Sequence, residues 1–286
     1  MDKVRLFFAV VSISALLVLC GIFIFLFTTG IQAFQHIPLG EFFGTKWNPD
    51  GYDKGWGITG MIVGTLLTTI GAMAFAIPLG IASAIYLAEI ASPKTREVIK
   101  PVIEMIAGIP SVVLGLLGLI VLAPAIAALF GLSSGLNALT ASIIVSIMVL
   151  PTIISISEDV LTALPNEFKE ASLALGASHW QTIRMTLLPA ASSGIIAAVM
   201  LGLGRAVGET MAVLMLAGNA LAFPHSFFDA VRPMTANIAI EIKEVVQGSL
   251  HYQALFAIAI VLFLMTFLVN LIADLILDRQ IRRHKW

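Results

Sequence analysis

Six stretches of almost unbroken apolar residues divide the chain, at about Leu6–Phe27, Ile58–Ala88, Ile109–Leu132, Leu136–Ile156, Ala190–Leu221 and Leu255–Leu277. A hydrocarbon core about 30 Å thick takes roughly 20 apolar residues as a helix. Each stretch therefore predicts one membrane span, and the second is long enough to tilt or protrude. Apolar positions run on instead of alternating with polar ones, which argues against barrel strands. The first stretch exceeds the roughly 7–15 residues of a signal-peptide core, and no A-x-A-like site follows it. It is expected to remain as a span.

Composition agrees with the pattern. Of 286 residues, 59% are hydrophobic and 12% charged, against about 45–50% and 25% in soluble domains. A water-soluble enzyme and a disordered chain are excluded. With a net charge of −1 there is no basic field for DNA or RNA, so no nucleic acid is expected as a partner. One cysteine, Cys20, and five scattered histidines offer no intrachain disulfide and no metal-ligand spacing. Neither a metal nor a cofactor is expected, and the chain has no nucleophile-plus-base arrangement.

Cations set the expected orientation. With the N-terminus inside, Lys3, Arg5, Lys94, Arg96, Lys100, Lys169, Arg184, Arg279, Arg282, Arg283 and Lys285 face the cytoplasm, against Lys46, Lys54, Arg232 and Lys243 outside. Eleven against four favours both termini in the cytoplasm. Two outer segments are long. Residues 33–57 carry Phe42, Phe43, Trp47, Tyr52 and Trp56, which fit an interfacial aromatic belt. In residues 222–252, Ile238, Ile242 and Val245 share a helical face, as in a short amphipathic helix near the outer surface. Pro78 and Pro151 are expected to kink their helices. Gly60 and Gly64 form a GxxxG that suits contact with a second membrane subunit.

The segment 164–189 has the pattern of a helical hairpin on the cytoplasmic side. Leu164, Phe168, Ala171 and Leu175 fall on one face. Gly176 suits a left-handed helix end. Ser178 and Gln181 form a capping box, and Trp180, Ile183 and Leu187 make a second stripe. Pro189 predicts a boundary before the fifth span. Such a hairpin either covers the membrane surface or docks in the groove of a soluble partner.

The fifth span holds two charges, Arg205 and Glu209, in Gly202-Leu-Gly-Arg-Ala-Val-Gly-Glu-Thr-Met211. A charge at the centre of a lipid-facing helix costs about 2.5–3.5 kcal/mol on insertion scales. The spacing of four predicts that both lie on one face. They either pin helix packing as a self-satisfied pair or handle an anion, with Arg205 as a two-donor fork and Glu209 holding it between substrates. Glycines 202, 204 and 208 allow close approach of another helix. Thr210 adjoins the pair. Ser111, at the start of the third span, either caps a helix or offers its hydroxyl to an anion.

Two strings carry a family resemblance. Glu170-Ala-Ser172, Gly176, Thr186, Leu188 and Pro189 resemble the EAA loop of ABC-importer permeases, with Ser172 and Thr186 standing where the pattern has Ala and Ile. Gly204-Arg-Ala-Val-Gly-Glu-Thr-Met-Ala-Val-Leu-Met-Leu-Ala-Gly-Asn219 resembles PstC-type permease subunits of the Pst phosphate importer. So do Tyr86-Leu-Ala-Glu-Ile-Ala-Ser-Pro, Gly108-Ile-Pro-Ser-Val-Val-Leu-Gly115 and Met234-Thr-Ala-Asn-Ile-Ala-Ile-Glu241.

The resemblance implies an all-α polytopic protein of type I ABC-importer permease architecture in a bacterial inner membrane. An N-terminal helix and outer loop would occupy 1–57, the permease domain 58–278 and a cytoplasmic tail 279–286. It further implies a PstA-type permease partner, a PstB-type ATPase dimer and a PstS-type phosphate-binding protein. Glu170, Ala171, Gly176, Leu188 and Pro189 would couple to the ATPase, and Arg205, Glu209, Thr210 and Ser111 would line the path of inorganic phosphate. The chain has no G-x-x-x-x-G-K-[ST] loop, so it is expected to be a transporter component that draws on an ATPase elsewhere. Another oxyanion such as sulfate or molybdate fits the same residues. An ion-coupled carrier and an intramembrane enzyme are further readings.

Overall fold

The computed structural model describes residues 3–283. In chain order the elements are α1 (Lys3–Ala33), α2 (Leu39–Phe42), strands β1 (Trp47–Asn48) and β2 (Gly55–Trp56), α3 (Thr59–Ile85), α4 (Pro93–Ala107), α5 (Ser111–Leu117), α6 (Ala123–Phe130) and α7 (Ala138–Thr162). There follow α8 (Asn166–Ala174), α9 (His179–Thr182), α10 (Leu188–Gly208), α11 (Met211–Leu216), α12 (Met234–Glu241) and α13 (Leu250–Arg283). π-Helical turns at Tyr86–Ile90, Gly118–Leu122 and Ile183–Leu187 extend or join their neighbours.

Among the described residues six helical segments are long and apolar enough to cross a membrane: Val4–Ala33, Thr59–Ile90, Ser111–Phe130, Ala138–Thr162, His179–Gly208 and Leu250–Ile272. All six expected spans are present. Of the expected tail, residues 279–283 continue α13, and residues 284–286 lie outside the described residues.

The central helix is α7, started by Asn137, whose side chain accepts the Thr140 N–H at 2.9 Å. It packs on α3 and α10. Lipid tails are as apolar as leucine, so these contacts rest on close fit and not on burial from water. Glycine supplies the fit: a Cβ on Gly80 of α3 or on Gly202 of α10 would fall about 3 Å or less from Ile153 of α7. The hydroxyls of Thr68 and Ser142 bond carbonyls of their own helices, which satisfies them within an apolar interior.

A second core lies at the other end of α3. There α1, α2, the β-hairpin, α12 and α13 bury Phe42, Trp47, Trp56, Met234 and Leu255. This corrects the expectation of an aromatic belt. Phe42, Trp47 and Trp56 are 0–6% exposed and form the packing of the 33–57 segment, while Phe43 and Tyr52 remain exposed. Ile238, Ile242 and Val245 pack against the same core, but α12 ends at Glu241, so only Ile238 lies on the helix and the expected helical face is not continued.

The GxxxG reading is also corrected. Gly60 and Gly64 face the backbone of Leu221–Phe223 and Val231–Pro233 of this same chain, so the motif admits an internal loop and not a second subunit.

A third cluster joins Ala84, Leu161, Ile183, Leu187 and Ala191 beneath the hairpin. Beside it, α4 is tied to α7 by ions. Glu158 is fully buried and pairs with Arg96 and with Lys100 (2.6 Å), which also reaches Asp159 at 2.5 Å. Asp159 and then Glu158 hold the Lys100 ammonium above the ordinary lysine range, against the opposing effect of burial.

Candidate functional site

The hairpin of residues 164–189 is built as its residues predict. α8 closes in a Schellman turn: Gly176 sits at φ +84°, its N–H bonds Leu173 O, and the Ala177 N–H bonds Ser172 O. Ser178 and Gln181 then complete the capping box. Between the two arms lies an open groove of about 780 Å³ lined by Phe168, Ala171, Ser172, Leu175, Gly176, Gln181, Met185 and Thr186, among others. Leu175 is 90% exposed and Trp180 59%. Of the second expected stripe, Ile183 and Leu187 are buried against the spans, and only Trp180 stays outside.

The two departures from the EAA pattern meet each other. Ser172 Oγ lies 3.1 Å from Thr182 Oγ1, and Thr186 donates to Ser172 at 3.3 Å. A hydroxyl pair thus joins the arms across the groove. Lys169 of α8 also bonds Glu89, in the π-helical turn ending the second span, at 2.7 Å.

Pro189 makes no boundary. The N–H of Leu188 bonds Ile183 O, and the helix passes from α9 through the π-helical turn into α10 as one run, His179–Gly208. Pro189 stands at the start of α10, where a missing N–H costs little. Leu188 packs against the cluster beneath the hairpin, and Glu170, Ala171 and Pro189 are exposed.

The far end of that run carries Arg205, in the last turn of α10. Arg205 and Glu209 do not pair. The helix stops at Gly208, and Glu209 is extended at φ −65°, ψ 125°. Its carboxylate accepts the Ala212 N–H at 3.1 Å, capping α11. The physical reason is the break itself: it creates a negative helix end for the guanidinium and a positive helix start for the carboxylate. The fifth span expected over Ala190–Leu221 is therefore two helices. Thr210 donates to Gly208 O at 3.1 Å. Ser111 begins α5 without a side-chain cap bond.

Arg205 opens on a cleft of about 730 Å³ lined by Thr152, Ala197, Met200, Leu201, Gly204 and Asn270. Its Nη1 donates to Thr152 Oγ1 at 3.3 Å, and no described carboxylate pairs with it. Glu209, Thr210 and Ser111 do not line this cleft. Thr152 and Asn270 do, and the sequence reading missed both. Thr152 follows the expected kink at Pro151, and Asn270 is a polar residue inside the last span, a signal of the same kind that singled out Arg205. A Cβ on Gly204 or on Gly208 would meet nothing, so these two glycines face open space, while Gly202 packs on α7.

Residues 76–285 match the family described as the inner membrane component of binding-protein-dependent transport systems. The chain belongs to that family: it is a multi-pass permease subunit of an ABC importer, a class that works with an ATPase and a substrate-binding protein. It is 39% identical to the probable ABC transporter permease protein YqgH of Bacillus subtilis, over 98% of this chain and 92% of that one. It is 37% identical to the phosphate transport system permease protein PstC of Mesorhizobium japonicum, over 94% of this chain and 87% of that one. The fold is shared with the crystal structure of a bacterial alginate ABC transporter in complex with an alginate pentasaccharide-bound periplasmic protein (TM-score 0.63, 16% identity, 98% of this chain and 95% of that one).

Proposed function

We propose that the chain is the PstC-type permease of an inorganic phosphate importer, and that Arg205 is its anion contact. The observation that carries this reading is the guanidinium in the Thr152–Asn270 cleft, with one long bond to Thr152 and no described carboxylate partner. A cation held in a span without a counter-ion is costly unless an anion or water reaches it. The planar fork offers two parallel donors to phosphate oxygens. Thr152 and Asn270 add a hydroxyl and an amide.

The path forms with a PstA-type partner. Phosphate arrives on a PstS-type binding protein at the outer segments. A PstB-type ATPase dimer grips the groove between the hairpin arms. Its closure moves α8 and α9, and the unbroken helix carries that motion roughly 40 Å from His179 to Arg205 at 1.5 Å per residue. Substrate crosses chemically unchanged, both chain termini are cytoplasmic, and the chain performs no catalysis itself.

Co-purification with the neighbouring subunits, followed by ATP-dependent uptake of labelled phosphate into vesicles, tests the reading. Uptake is expected in the complex and is lost in Arg205→Ala with assembly intact. Normal uptake in that variant removes the site assignment. Competition by excess sulfate or molybdate as strong as by phosphate shifts the substrate, and uptake by this chain alone makes it a carrier.

A further inference from the structure

On the outer side, away from the Arg205 cleft, one carboxylate gathers four donors. Glu241, the last residue of α12, accepts from Trp47 Nε1 at 3.1 Å to each oxygen and from Arg232 Nη1 at 3.2 Å. Asn237 Nδ2 lies at 3.4 Å and His251 Nε2 at 2.9 Å. Its side chain is 13% exposed. Trp47 belongs to the β-hairpin, whose tip residue Tyr52 is fully exposed. Outer hairpin, α12 and the start of α13 therefore meet at one charge.

Two lines of bonds run from this charge to the break after α10. The first is α12 itself. Thr235, in its first turn, donates to the backbone carbonyl of Glu209 at 3.1 Å. The second passes through Arg232, whose Nε donates to Asn219 O at 2.9 Å. The Asn219 side chain then donates to Leu214 O in α11 at 2.7 Å. Residues 234–237 of α12 are buried, and the Met234 N–H is tied to Thr65 of α3 at 3.0 Å. Charge-assisted bonds in a largely buried network are the stiffest polar contacts a fold can offer. Local packing alone does not require a carboxylate here, because α12 already holds its apolar face against the second core.

We propose that Glu241 is a positioning residue. It clamps the outer hairpin to α12, so that load placed on the hairpin by a docking partner reaches the Glu209 turn and the end of the helix that carries Arg205. This rests on the importer reading for the partner that supplies the load. Glu241 heads both lines, so cutting it disconnects both, while cutting the Thr235 bond severs only the line along α12.

The test uses the assembled transporter in nanodiscs with Glu241→Gln, Thr235→Val and the double variant. Amide hydrogen exchange reads the break directly. Glu241→Gln is expected to raise exchange at residues 209–216 about tenfold, in the range of ordinary intersite coupling. ATP hydrolysis stimulated by the phosphate-loaded binding protein is expected to fall by a similar factor, with basal hydrolysis unchanged. The double variant is expected to be no worse than the worse single one, the mark of residues acting in series.

Faster exchange confined to residues 232–251 overturns the proposal, and so do single effects that multiply. Trp47→Phe removes the indole N–H and keeps a ring in place, so it puts the same question from the hairpin side if Glu241→Gln does not assemble. Absence of stimulated hydrolysis in the unaltered complex counts against the importer reading alone. The exchange at 209–216 needs no substrate and still judges the clamp.

Discussion

At the scale of single residues, Arg205 combines two properties that an anion contact can use, permanent charge and a planar fork. Lysine keeps the first and loses the second. Arg205→Lys is therefore expected to retain assembly and a remnant of uptake, with phosphate transport at subsaturating concentration down roughly 10- to 100-fold, consistent with about 1.5–3 kcal/mol for a charge-assisted bond. Equal transport by the lysine variant would reduce Arg205 to a source of positive potential.

Gly176 answers to a different force. Its φ of +84° costs a side chain about 1–2 kcal/mol, and its turn sets the angle between the arms of the groove. Gly176→Val is expected to leave the spans folded and to release or uncouple the ATPase, read by pull-down and by stimulated hydrolysis. Unchanged coupling would assign the groove to another partner.

Both residues stand out in the sequence, because a charge in an apolar run and a glycine between two stripes are local signals. The fate of Glu209 was not. Gly208-Glu-Thr210 sits inside a continuing apolar pattern, and periodicity carries no mark of a backbone that turns extended for one residue and resumes. The spacing of four promised a shared face, and the break gave the carboxylate a helix start to cap instead.

At the scale of elements, the same blindness to backbone irregularity hid the continuity of the fifth span. Proline at 189 reads as a stop, yet a π-helical turn placed ahead of it makes the missing N–H harmless. The second arm of the hairpin and span five are one continuous helix as a result. The α4–α7 anchor was also invisible. Glu158 stands in the last stretch of α7, 62 residues from Arg96, and nothing local predicts that a carboxylate there is sealed.

Its burial sets the order of stabilities. Removing the cations leaves Glu158 inside the protein with only the Thr162 hydroxyl as its partner, which costs about 3–5 kcal/mol. Removing the carboxylate leaves Arg96 and Lys100 partly exposed and able to turn to water, which costs about 1–2 kcal/mol. Arg96→Ala with Lys100→Ala is thus expected to lower the unfolding temperature in detergent more than Glu158→Gln does, and the reverse order would contradict the buried-charge account. The pH dependence follows from the sign of the Lys100 shift. A lysine raised on folding contributes its stability fully below its ordinary value and loses it as pH climbs through the folded one. The anchor is expected to be flat across the neutral range and to weaken only in strong alkali.

At the scale of the whole molecule, the six spans were legible because lipid demands long apolar helices and little else produces them. The segment 33–57 was legible only as aromatic. Whether its rings line an interface or fill a core depends on partners far away, and Trp47 meets Glu241 across 194 positions. The orientation of the molecule rests on its cations. With Lys and Arg weighted to one side, the hairpin tip at Tyr52 is expected to face out and the groove at Leu175 to face in. Both side chains are exposed, so each can report its compartment. In a Cys20→Ser background, Tyr52→Cys is expected to react with a membrane-impermeant maleimide in intact spheroplasts. Leu175→Cys is expected to react only after permeabilisation. Labelling of Leu175→Cys in intact spheroplasts would invert the molecule, put the coupling groove where no ATP is available, and dismantle the importer reading from its energetics upward.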